Sequence, residues 1–250
     1  MKSTLTFAVA IPIGSWHPFL PEAFASLAAQ PFSLSIALLD ASADPRVAQA
    51  ADASGLTFAY RRHGPDQGQS DAIREGWSNT EGEVLFWLNA DDRLTKNALE
   101  IVAKTFDENP SLHAVYGLSE FINEEGQTTG DHDQVAPITD MIFRSNIISQ
   151  PSCFVKRHAI NSVGGVNPSL HYVMDWDLWV RLYAAGMHFH FIPETLSIVY
   201  MGSSTKTDKI QTRRLKEVFN LVRQNSNNFD AFKSTLALTL HTLSFRAGRK

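Results

Sequence analysis

The chain alternates between short apolar runs and stretches in which apolar residues recur every three or four positions. Phe7 to Ile11, Leu34 to Leu39, Leu56 to Arg61 and Val84 to Leu88 read as strands, the first and last of them apolar throughout, as strands covered on both faces are. Between them Leu20, Ala23, Phe24 and Leu27 fall at helical spacing before Pro31, and Asp44-Pro45 opens a second, short helix. A glycine-containing polar turn, Gly64 to Gln69, leads into a third helix with Ala72, Ile73, Gly76 and Trp77 as a narrow packing face and Ser70 or Asp71 as its cap. Strands separated by helices of this length predict a parallel sheet with right-handed crossovers. The polar strand ends then converge on one edge: the loop Pro12-Ile13-Gly14, Asp40, and Asn89-Ala90-Asp91-Asp92.

After a helix expected over 96–109, that alternation stops. Ala114 to Ile122 and Gln127 to Thr129 flank Glu124-Glu125-Gly126 and predict a hairpin, with Asp131-His132-Asp133 as a solvated loop. A short helix near Thr139 to Arg144, a strand from Ile148 to Val155 and a helix ending at Gly164-Gly165 follow. Met174 to Leu182 reads as a helix with Leu178, Leu182 and Ala185 on one face, stopped by Gly186. His188 and His190 alternate with Phe189 and Phe191, so the imidazoles are expected in solvent on an edge strand rather than on a metal. From Asp208 the pattern is helical, with Leu215, Val218, Phe219 and Val222 in one helix. The last helix carries the stripe Phe229, Phe232, Leu236, Leu240 and Leu243 and ends in Arg246, Arg249 and Lys250. Such stripes usually pack in a core; with a basic end they also suit an anionic membrane surface.

Charge and composition exclude some partners. A net charge of −4, with dispersed Lys and Arg, gives no basic face for nucleic acid. The lone Cys153 has no partner for an internal disulfide and lies in an apparent strand, as an inert buried thiol does. The apolar stretch at Leu5 to Ile13 is short, interrupted by Pro12 and followed by no cleavage site, so it reads as the first strand and not as a signal peptide. No run approaches the ~20 apolar residues of a membrane span, and a cytoplasmic protein is expected.

Two places carry candidate chemistry. Asp91 and Asp92 follow a buried run that could not hold two unpaired carboxylates, so they belong at the strand's mouth, where open α/β sheets bind ligands. Oxygen ligands there suit a hard divalent cation on a diphosphate, although a turn before a helix would use the same residues. The glycines match neither a dinucleotide fingerprint nor a phosphate-binding loop. In Met174-Asp175-Trp176-Asp177-Leu178-Trp179-Val180-Arg181, Asp175 at the helix start is either a cap or a base. A carboxylate partly desolvated beside aromatic rings is suited to taking a proton, and Asp177 pairs naturally with Arg181 at i, i+4.

Asp66-Gln67-Gly68-Gln69-Ser70-Asp71-Ala72-Ile73, Gly82-Glu83-Val84 and Trp87-Leu88-Asn89-Ala90-Asp91-Asp92 resemble, in order, the donor-half motifs of family-two glycosyltransferases of the GT-A fold. The likeness covers about residues 5–205. It implies an α/β, GT-A-like three-layer fold with a mainly parallel central sheet over 1–205, a donor half of about 1–115, an acceptor half of about 116–205, and a C-terminal helical extension over 206–250. It also implies a nucleotide-sugar donor, a UDP-sugar, with Mn²⁺ or Mg²⁺ on Asp92 and Asp91 reaching the ribose or the metal's water shell. Asp40 and the backbone of Pro12 and Ile13 would contact the base, with Gly68 and Asp71 facing the nucleotide and Asp175 acting as general base. The acceptor would be a hydroxyl of a glycan or lipid-linked oligosaccharide, and transfer would invert the anomeric carbon. Where many relatives carry Arg-x-His-x-x-Ser after the last strand, this chain has Met201-Gly202-Ser203-Ser204-Thr205-Lys206, so the third metal contact lacks its histidine and Ser204 or Lys206 would meet the phosphates. A sugar nucleotidyltransferase, or a relative that binds nucleotide or carbohydrate without catalysis, are the other readings.

Overall fold

β1 (Phe7–Ile13), β2 (Leu34–Asp40), β3 (Phe58–His63) and β4 (Val84–Trp87) pair in parallel in the order β3-β2-β1-β4 in the computed structural model, which describes residues 3–132, 134, 136–202 and 211–247. The crossovers are α1 (Leu20–Ala28), α2 (Pro45–Ala53) and α3 (Gln69–Ser78). Every residue of β1 and β4 is buried, which is why both are apolar throughout. β3, at the sheet edge, alternates half-buried and exposed residues and starts two residues later than its pattern suggested.

Pro12 and Ile13 are buried strand residues, not a loop. Even-numbered residues of β1 bond toward β4, as Leu88 N–H does to Ala10 O at 3.0 Å, and the β1–β4 pairing ends at Ala10 opposite Trp87. Pro12 lies past that end, so its missing N–H removes no ladder bond. The third helix is capped differently as well. Its N-cap is Gly68 at φ 116°, a conformation that favours glycine, and Gly68 N–H is held by Asp66 Oδ1 at 2.8 Å, while Ser70 and Asp71 lie within the first turn. A Cβ on Gly76 would come within 2.8 Å of Ala10 Cβ, so the glycine is what lets α3 lie directly on β1 and β2.

The second half of the sheet is mixed. β8 (Cys153–Lys156) runs antiparallel between β4 and β6 (Ala114–Ile122), β9 (Phe189–Tyr200) runs parallel to β6, and β5 (Arg93–Leu94) runs antiparallel on the far side of β9. β7 (Thr128–Asp131) completes the expected hairpin with β6. The chain therefore passes from β4 to the far end of the sheet through Leu88 to Asp92, four strand positions or ~19 Å on a flat sheet. Because that segment also turns, with Asp92 N–H on Asn89 O at 3.3 Å, the sheet must curl to bring its end near the acids. α4 (Ala98–Glu108) then covers the face also packed by α1.

α5 (Arg157–Ser162) ends at the Gly164-Gly165 turn, and α6 (Met174–Ala184) forms as its pattern predicts, except that Ala185 is an exposed C-cap residue and not part of the packing face. The expected strand at Ile148 begins only at Cys153, because Gln150–Ser152 forms a 3-10 turn around Pro151. A second 3-10 turn, Asp140–Phe143, stands where the short helix was expected. Cys153 is buried, and burial pushes its thiol pKa well up. His188 and His190 are exposed while Phe189 and Phe191 pack toward Tyr116.

α7 (Thr212–Asn225) and α8 (Asn228–Ala247) close the chain; Asp208, Ser204 and Lys206 fall outside the described residues, as does Asp133. α7 buries Val218, Leu221 and Val222 in the same cluster as Trp176, Leu178 and Trp179, so the extension shares a core with α6. α8 reverses the usual arrangement. It turns Ala231 and Thr242 inward and leaves Phe229, Phe232, Leu236, Leu240 and Leu243 between 46% and 64% exposed, so the stripe is not core packing here.

Candidate active site

Asp92 is buried, and its carboxylate accepts from Asn89 Nδ2 at 2.8 Å and from the Tyr200 backbone N–H. Burial, and then the charge of Asp91, push its pKa well above the usual carboxylate range. Burial also raises Asp91, against the opposing field of His17. His17, Phe19 and Tyr200 form a ring cluster beside these acids, with centroids 4.7–5.5 Å apart, and Phe19, Arg93 and Ile122 surround the two carboxylates. A buried carboxylate with a half-buried one beside it is relieved by a cation. Among the described residues no three His, Cys, Asp or Glu side chains converge as a metal cage. The pair nonetheless fits a Mg²⁺- or Mn²⁺-type ion, which binds through one or two carboxylates when a diphosphate supplies further oxygens.

An amide relay joins this tip to the neighbouring elements. Asn89 Nδ2 also donates to Gln150 Oε1 at 3.1 Å, Gln69 Nε2 donates to Asn89 Oδ1 at 2.8 Å, and Gln150 Nε2 donates to Trp87 O at 2.8 Å. The next residue on α3, Ser70, donates through Oγ to Leu170 O at 2.7 Å and contacts Met174 Sδ at 2.8 Å. Met174 begins α6, whose second residue is Asp175. Trp87 at the end of β4 stacks on Trp179 of α6, 5.9 Å between centroids and 21° between planes. The start of α3 thus stands between the acids of β4 and the acid of α6.

Asp175 is partly exposed, and its Oδ2 accepts from Asn146 Nδ2 at 3.0 Å. The N-cap position belongs to Val173, so Asp175 is not the cap. Asp177 is held by Arg181 at 2.6 Å, and Arg181 continues to Val163 O and Gly165 O, tying α6 to the glycine turn.

The other sequence candidates are more dispersed. Asp40 is buried: Oδ1 accepts from Ser42 N (2.9 Å) and Ser42 Oγ (2.5 Å), and Oδ2 meets His63 Nδ1 at 3.0 Å. Three of the carboxylate's about four acceptor sites are thereby taken, and 2% of the side chain is exposed. Gly68 spends its N–H on Asp66, and Asp71 is partly exposed in the first turn of α3. Sequence reasoning passed over Gln69, Asn146 and His17 as site residues, and gave Gln150 only a place in the acceptor-site floor that the family resemblance implies, with no link to Asn89. The available signal was polarity at the ends of buried runs, as at Asn89 and Gln150.

A parallel half joined to a mixed half, with an acidic tip between them, is the arrangement of the GT-A class of fold. S. aureus TarS 1–349 in complex with UDP-GlcNAc superposes with TM-score 0.69 at 15% identity, covering 96% of this chain and 73% of that one. The mannosyltransferase PcManGT from Pyrobaculum calidifontis, in complex with GDP-Man and Mn²⁺, gives 0.61 at 12% identity, covering 96% and 75%. The profile of glycosyl transferase family 2 matches residues 9–160, more than half of the chain, and the chain belongs to that family. Among curated relatives, an uncharacterised glycosyltransferase of Rickettsia conorii is 25% identical over 198 residues, 73% of this chain and 32% of the relative. Chondroitin synthase of Pasteurella multocida is 22% identical over 175 residues, 67% and 18%. The chain thus spans about a third or less of the length of these relatives.

Proposed function

We propose that the chain transfers a sugar from a UDP-sugar to a hydroxyl of a glycan or lipid-linked acceptor, with inversion. The observation that carries this reading is the relay through Gln69, Asn89 and Gln150, with the Ser70–Met174 contact, which brings Asp92 and the start of α6 to one edge of the sheet. Residues of about 1–115 supply the donor side: Pro12, Ile13 and Asp40 toward the base, Gly68 and Asp71 toward the nucleotide. Asp92 and Asp91 would hold Mn²⁺ or Mg²⁺, which when bound neutralises charge on the departing diphosphate. As the acceptor oxygen bonds to the anomeric carbon and the bond to the diphosphate breaks, Asp175 takes the hydroxyl proton. Asn146 donates to Oδ2 of Asp175 and so fixes the orientation of that carboxylate. The UDP-GlcNAc complex of TarS and the Mn²⁺ complex of the mannosyltransferase support the choice of donor and ion.

A lipid-linked acceptor is favoured by α8. Its exposed stripe is accompanied by Lys233, and the sequence from Ala231 to Lys250 contains no acid, a combination suited to an anionic bilayer surface. Among the described residues no helix is long and apolar enough to cross a membrane, so contact would be peripheral. A sugar nucleotidyltransferase would need a glycine-rich basic loop after β1. Here that segment is Gly14-Ser15-Trp16-His17, with Trp16 covered by Arg46 at 5.0 Å. A non-catalytic relative is separated by Asp175→Asn. The transfer reading expects kcat to fall ~100-fold or more with UDP affinity within about threefold of wild type. Equal transfer rates would remove Asp175 from the chemistry.

A further inference from the structure

Glu217 of α7 is only 8% exposed, yet it belongs to neither the acids of β4 nor the base. Its carboxylate accepts from the backbone N–H of His171 (3.1 Å to each oxygen), Tyr172 (2.7 Å) and Val173 (3.4 Å), and from Arg213 Nε one turn earlier at 2.9 Å. Residues 171–173 are the turn that enters α6. A helix start leaves its first N–H groups without intrahelical partners, and the N-cap here, Val173, has no side-chain oxygen to offer. Glu217 therefore holds, from another helix, the N–H groups at and just before the N-cap, and places negative charge at the start of α6, where the helix dipole favours it. The same turn has further anchors. Tyr172 Oη donates to Gln211 Oε1, and Ser70 Oγ holds Leu170 O. Arg214, beside Arg213 on α7, lies within electrostatic reach of both Asp175 and Tyr172.

We infer that Glu217 is a positioning residue for sugar transfer: by fixing the 171–173 turn, its carboxylate sets where Asp175, two residues on, stands relative to the acceptor hydroxyl. The inference rests on the reading of Asp175 as the base. Misplacement of a reacting group by ~1 Å can cost ~100-fold in rate. α7 is on this account part of the catalytic apparatus and not a separate appendage.

The test is kcat for transfer by the full chain, expressed per UDP-binding site measured with Mn²⁺, so that partial unfolding does not register as slow turnover. Glu217→Gln is expected to bind UDP and show a donor KM as wild type does, with kcat reduced ~10-fold or more. Glu217→Asp, which keeps the charge on a shorter arm, should recover part of the loss. Arg213→Ala removes the outer ion pair, leaves the backbone bonds and should stay within about twofold. A Glu217→Gln kcat equal to wild type, or an equal loss in Arg213→Ala, would overturn the inference. If Glu217→Gln does not fold, Gln211→Ala reports on the same turn: a lower kcat per site at unchanged donor KM supports the inference, and a wild-type kcat with no effect of Glu217→Asp overturns it. Asp175→Asn, run alongside, separates the two claims. Full activity there defeats the base assignment, whereas inactive Asp175→Asn with silent Glu217 variants defeats only the positioning role.

Discussion

Asp92 shows at the scale of one side chain how binding and stability oppose each other. A carboxylate buried beside a second acid is held at a cost that a bound cation relieves, so the free protein is destabilised by the group that would bind its ligand. Asp92→Asn should therefore raise the melting temperature of the metal-free protein while abolishing the stabilisation that Mn²⁺ with UDP gives the wild type. Thermal melts with and without both ligands check both halves. A gain on addition of Mn²⁺ and UDP that survives the substitution would contradict the assignment. Asp91 and Asp92 were legible in the sequence because two acids ending an apolar run have few places to go. Asn89 as the hub of the relay was not, since its partners Gln69 and Gln150 lie 20 and 61 residues away and only the folded chain brings them together. Glu217 was hidden for the same reason, 44 to 46 residues from the turn it holds.

At the scale of elements, a histidine cluster just before β6 and β9 predicts a pH response in stability. His113 Nδ1 accepts from His188 N–H at 3.1 Å, and its ring lies 5.4–5.6 Å from those of His188 and His158. Burial first, then His158, His188 and Lys156, hold its pKa below the ordinary value. The folded state favours the neutral ring, so the unfolded chain binds the extra proton first. Stability is then fully present above about pH 6.5 and falls as the pH drops below it. Denaturant midpoints from pH 7.5 to 5 should show that decline, and His113→Gln should flatten it. An unchanged slope would remove His113 as the cause. α8 makes a separate prediction. Vesicles containing anionic phosphatidylserine should retain the protein, vesicles of phosphatidylcholine alone should not, and Phe232→Glu with Leu240→Glu should release it. Retention unaffected by the double substitution would place the contact elsewhere. Periodicity foretold the stripe of α8 but not its direction, because a helix pattern states which residues share a face and not what that face meets. The strand-end misreading at Pro12 has a similar origin, since only the pairing with β4 shows that its missing N–H removes no ladder bond.

Over the whole molecule, the order of motifs was more legible than the shape of the sheet. Alternating strands and helices led to the parallel half through β4, because each βαβ unit has one favoured handedness. The second half resisted the same reasoning. β8 inserts antiparallel between β4 and β6, and a two-residue strand, β5, attaches to β9 far along the sheet. Such pairings leave no local pattern. They are nevertheless what curls the sheet around the acids, and the two Trp rings stacked between β4 and α6 join the halves that donor and acceptor would occupy.

The most direct measurement is calorimetric titration of UDP into the wild-type chain and into Asp92→Asn, each with and without Mn²⁺. A metal-bridged diphosphate seated on the β4 tip predicts binding by the wild type that strengthens at least tenfold with Mn²⁺, a gain of ~1.4 kcal/mol, and no such gain in the variant. UDP affinity indifferent to both the metal and the substitution would contradict it.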